Sequence, residues 1–97
     1  MKREEFVFTI GYQGDTAIVD GQALKKYKKI STTELLEKGL YKSAFCAALY
    51  SGDENELEAV LKAYNEKSDI QYDSVLALKR LFGVFDIPED ITKVNYI

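Results

Sequence analysis

Two periods run through the apolar positions of this chain. Phe6-Val7-Phe8-Thr9-Ile10 is built of β-branched and aromatic residues, with Phe6, Phe8 and Ile10 on one face at period two, so it predicts a strand. Gly11-Tyr12-Gln13-Gly14-Asp15 carries two glycines and an aspartate, which is turn chemistry, and Thr16-Ala17-Ile18-Val19 predicts a second short strand. Together they read as an N-terminal β-hairpin. From Asp20 the period lengthens to that of a helix. Asp20 is placed to cap a helix to about Lys29, with Ala23, Tyr27 and Ile30 on one face.

Ser31-Thr32-Thr33-Glu34 has the capping-box pattern and opens the next helix at once, with Leu35, Leu36 and Leu40 as its stripe. Gly39 either interrupts that helix or ends it, since glycine costs only about 1 kcal/mol inside a helix. Then comes the densest apolar stretch, Ala44 to Tyr50, seven residues without a polar one. An exposed helix would break such a run, and three alanines argue against a strand, so residues 43–51 predict a buried central helix. Asp53 with Glu56 opens another helix with Leu57, Val60, Leu61 and Tyr64 as its buried stripe, and a last helix is expected over Ile70 to Phe85. Pro88 follows it, and Lys93 to Tyr96 alternates polar and apolar within a C-terminal strand over residues 91–97. The expectation is an α+β fold in a single domain, residues 1–97. About four helices surround the central one, and the C-terminal strand joins the hairpin in a small antiparallel sheet.

Composition narrows the chemistry. The 97 residues include one cysteine, Cys46, and no histidine, so an intrachain disulfide and every His-dependent catalytic or metal arrangement are excluded. No cofactor is expected. Cys46 lies in the apolar run without a basic neighbour beside it and reads as a small buried hydrophobe. No apolar stretch approaches the roughly 20 residues of a membrane span, and Glu4 and Glu5 spoil any secretory n-region, so a cytoplasmic location is expected. Net charge is −3 but uneven: residues 1–45 hold eight basic and six acidic residues, residues 46–97 five and ten.

Neither Asp53-Glu54-Asn55-Glu56 nor Gly11-Tyr12-Gln13-Gly14 completes a motif. The first has Glu58 and Tyr64 where a calcium loop needs Gly and Glu, and the second lacks the Gly-Lys-Ser/Thr of a phosphate loop. Two features remain. Open sheet edges carrying Tyr12, Gln13 and Tyr96 suggest a non-catalytic protein-interaction module that pairs with a partner or a second copy of itself. Lys25, Lys26, Lys28 and Lys29 around Tyr27 suggest the alternative, a weak nucleic-acid binder whose tyrosine stacks on a base. An enzyme working through carboxylates or tyrosine is the third reading.

Overall fold

The computed structural model describes residues 1–97. The elements follow the order α1 (Arg3–Val7), β1 (Thr9–Gln13), β2 (Thr16–Val19), α2 (Gly21–Tyr27), α3 (Thr32–Glu37), α4 (Tyr41–Ser51), α5 (Glu54–Lys67), α6 (Val75–Phe82) and β3 (Lys93–Tyr96). This is the α+β class expected from the two periods.

Helix α4 is the centre. Ala44, Phe45, Cys46, Ala47 and Ala48 are all buried, and α1, α3 and α5 each pack against it. The small side chains let those helices approach. Phe45 supplies the bulk, with its ring centroid 5.4 Å from that of Phe82. Leu35, Val60, Leu61 and Leu78 complete the core from the neighbouring helices. The sequence-encoded caps form. The Asp20 carboxylate accepts from the Ala23 amide at 3.1 Å, the Ser31 hydroxyl from the Glu34 amide at 3.1 Å, and Asp53 from the Asn55 amide at 2.8 Å. Gly39 ends α3: it takes φ +74°, the left-handed conformation that suits glycine, and the Leu40 amide then donates to the Leu35 carbonyl at 3.0 Å.

Three expectations are corrected. First, Phe6 and Val7 are not in a strand. They end helix α1, where the Glu5 carboxylate accepts from the Lys2 amide at 2.9 Å, and Phe6, Val7 and Phe8 are all buried instead of alternating. The first strand therefore starts at Thr9 and runs through the expected turn as far as Gln13. Only Gly14-Asp15 makes the turn, with Gly14 at the φ of +60° that a type II′ hairpin asks of its first central residue.

Second, the sheet is mixed. Its order is β1-β2-β3, with β1 antiparallel to β2 and β3 parallel to β2. A parallel pair needs a long crossover, and α2 to α6 supply it. Alternation along the tail shows a strand but carries no direction. Asp15 anchors the start of β3: its carbonyl accepts from the Thr92 and Lys93 amides, and its carboxylate accepts from the Thr92 hydroxyl at 2.7 Å. At the far end the Ile97 amide donates to the Val19 carbonyl, and the Gly21 amide donates to the Ile97 carbonyl.

Third, the last helix is shorter than Ile70 to Phe85. The side-chain amide of Asn65 bonds both backbone groups of Tyr72, at 2.8 and 2.9 Å, and Ser74 caps the helix by accepting from the Ala77 amide. Residues before Val75 are thus held out of helical geometry. No helix of the chain is long and apolar enough to cross a membrane.

Candidate functional site

Strand β1 is one rim of the sheet, and β2 is its only substantial neighbour. It contains no charge and no proline. Thr9 and Ile10 together oppose Val19, which is a bulge, after which Gly11, Tyr12 and Gln13 pair regularly with Ile18, Ala17 and Thr16. Ile10 is 55% exposed and Tyr12 44% exposed. Tyr12 shares its face of the sheet with Ala17, which is fully buried, so its ring leans over the core side at the sheet's margin.

Beneath β1 the packing is incomplete. A cavity of about 250 Å³ opens between β1, α4 and the end of α6; Tyr12, Cys46, Phe82 and Lys42 are among its walls. A second cavity of about 200 Å³ lies toward α2, walled by Phe8, Ala23, Tyr27 and Leu40 among others. Thr9, Ile10 and Lys42 line both. The two cavities therefore form one interrupted groove along the core side of the open edge, with the exposed Lys42 at the divide.

Cys46 stands one helical turn after Lys42 and faces the same cavity. The sequence held this pair at i,i+4 spacing, a signal that a search limited to adjacent residues misses. Burial pushes the Cys46 thiol up to about 11, and the Lys42 ammonium offsets only part of that. Tyr12 is raised as well, first by burial and then by its proximity to Cys46.

The other sequence-predicted residues separate. Gln13 is exposed beside Tyr12, but Tyr96 lies on β3, at the opposite rim. One added strand cannot touch all three. Tyr96 instead donates its hydroxyl to Glu5 of α1 at 2.6 Å. The lysines also divide. Lys25 and Lys28 line a surface cavity of about 660 Å³ with Tyr96 and Ile97, whereas Lys26, Lys28 and Lys29 line a depression of about 400 Å³ with Lys38 and Glu34. Tyr27 lies against Phe8, ring centroids 6.3 Å apart, and the Lys26 and Lys38 ammoniums sit 5.3 and 5.8 Å from its ring. Little of that ring is left free to stack on a base. No three acidic or sulfur side chains gather in a way that would hold a metal ion.

No family model, no curated protein and no solved structure matches the chain.

Proposed function

We propose that this protein is a small protein-interaction module that receives an extended segment of a partner along β1. The observation that carries the reading is the combination on that strand: an uncharged rim with no second strand beside it, and Ile10 and Tyr12 exposed along it. Folded proteins usually blunt such rims with charge, proline or a cover. Strand addition gives affinity through main-chain hydrogen bonds. The rim of β3 fits the role less well, because Lys93 stands on it and Tyr96 is engaged with Glu5.

The test is capture of partners from native extract by the protein and by an Ile10→Lys variant, followed by hydrogen exchange on the complex. The expected result is protection of the Tyr12 amide, the one of Gly11 to Gln13 that points away from β2, in the wild-type complex and loss of the partner with the variant. A partner that binds both proteins equally and leaves the Tyr12 amide unprotected overturns the reading. Binding to nucleic acid is the second reading, favoured by Lys38 joining the Lys26, Lys28 and Lys29 depression. It predicts a salt-dependent affinity for single-stranded RNA that falls when the four clustered lysines become glutamine; an unchanged affinity removes it.

A further inference from the structure

We infer that the groove beneath β1 selects the partner segment by its inward side chains, and that it takes an apolar–x–acidic–x–apolar pattern. The inference rests on strand addition at β1 and adds to it the chemistry of the partner. A strand paired with β1 would point every second side chain toward α4, into the groove. Each cavity is smaller than the roughly 300 Å³ at which pockets for small molecules begin. Each is larger than the roughly 150 Å³ apolar cavity that holds one benzene ring. One large aliphatic or aromatic side chain per cavity is therefore the fitting occupant.

The divide sets the middle position. Lys42 is the only charged residue lining the 250 Å³ cavity, and it also reaches the 200 Å³ one. The second cavity has a carboxylate at its wall, Asp20, but that group is engaged in capping α2. A carboxylate between two apolar side chains meets Lys42 and avoids Asp20. Positions i, i+2 and i+4 of a strand span about 13 Å at 3.3 Å per residue. That is the length of β1, which has five residues.

The chain itself contains the pattern at Ile87-Pro88-Glu89-Asp90-Ile91. Both isoleucines already pack against its own core, so a second copy does not offer them. The occupant is a segment of a different protein.

The experiment titrates the full chain with three synthetic peptides while following backbone amide resonances: Leu-Thr-Glu-Thr-Leu, Leu-Thr-Lys-Thr-Leu and Ser-Thr-Glu-Thr-Ser, each acetylated and amidated. The glutamate–leucine peptide is expected to shift the Gly11, Tyr12 and Gln13 amides and to bind at least about tenfold more tightly than the other two, a gap of about 1.4 kcal/mol. A Lys42→Glu variant, changed at an exposed position, is expected to invert the preference between the glutamate and lysine peptides. If all three peptides shift the β1 amides with equal affinity, strand addition stands and the groove inference falls. If none shifts them, both fall. Preference for the glutamate peptide that persists unchanged in Lys42→Glu removes the assignment of Lys42.

Discussion

Truncating Phe45 to alanine tests the claim that α4 organises the fold. Phe45 has 0% of its surface exposed and meets Phe82 at 5.4 Å between ring centroids. Removing a buried phenylalanine side chain costs about 3–5 kcal/mol, the transfer of its atoms plus the cavity left behind. Phe82 is only partly buried and belongs to α6, the outermost helix of this contact, so it has some freedom to lean into the gap. That favours the lower half of the range, about 3–4 kcal/mol. For a domain of this size each kcal/mol lowers Tm by about 4–8 °C, so the fall should be on the order of 12–30 °C. The whole domain is worth only about 5–15 kcal/mol, and the variant should stay folded at 25 °C with a clearly lower urea midpoint and an unchanged slope. Circular dichroism melts and urea titrations read both quantities. Phe85→Ala is the control: that ring is 48% exposed and lies beyond the end of α6, and its loss should cost no more than about 1 kcal/mol. Equal Tm losses for the two variants, or a Phe45→Ala loss below about 5 °C, would refute the central position of α4.

Two further outcomes follow from the titrating groups. Cys46, with its thiol raised to about 11 and almost no exposed surface, should react slowly with Ellman's reagent in buffer and quickly in denaturant; fast native reaction would show that the cavity beside it opens to the reagent. The Tyr96–Glu5 hydrogen bond should show at both ends of the pH scale. Burial raises the Glu5 carboxyl, but the Tyr96 hydroxyl and the Lys2 amide outweigh it, so Glu5 sits below its ordinary 4.5. Its contribution to stability is present above that value and is lost as pH falls through the lower folded one. Tyr96 is raised above 10.0, chiefly by the bond to Glu5, so its contribution is complete below that pH and is lost as pH rises through the folded value. Melts of Glu5→Gln against pH should be flatter than wild type on both limbs, and parallel curves would refute the coupling.

What the sequence disclosed was local. Seven apolar residues in a row are hard to place anywhere but a covered helix, and the caps at Asp20, Ser31 and Asp53 depend on residues two or three positions away. What it concealed was long-range. Helix α1 has only five residues, too few to stand on propensity alone, and the Glu5 that opens it is also held by a tyrosine 91 positions later. The apolar run Phe6 to Ile10 was divided between the end of that helix and a strand because all of Phe6, Val7 and Phe8 face the core. The site followed the same rule. Tyr12 and Gln13 were visible as exposed turn residues, whereas the groove beneath them needs α4, α6 and α2 in place before it exists.

The place of β3 beside β2 decides which rim of the hairpin stays unpaired. A two-stranded hairpin is marginal alone, and the backbone groups of β2, the strand that carries buried Ala17 and Val19, are paired on both sides, with β1 and with β3. The crossover through α2 to α6 returns the tail to the far side of β2 and fixes it at both ends, through Asp15 and through Val19 and Gly21. That side is thereby closed, and its outer rim carries Lys93, a residue that discourages further pairing. The closure also steadies β2 enough for β1 to remain uncovered. An uncharged rim over an incompletely filled groove would be a liability in a hairpin free to slip its register. Here the register is pinned by the buried face of β2 and by the Gly14-Asp15 turn, so under the proposed strand addition the same rim would be a defined template. A binding strand at β1 would extend a ladder already held on the other side, and its ordering cost would fall on the partner segment, not on the domain.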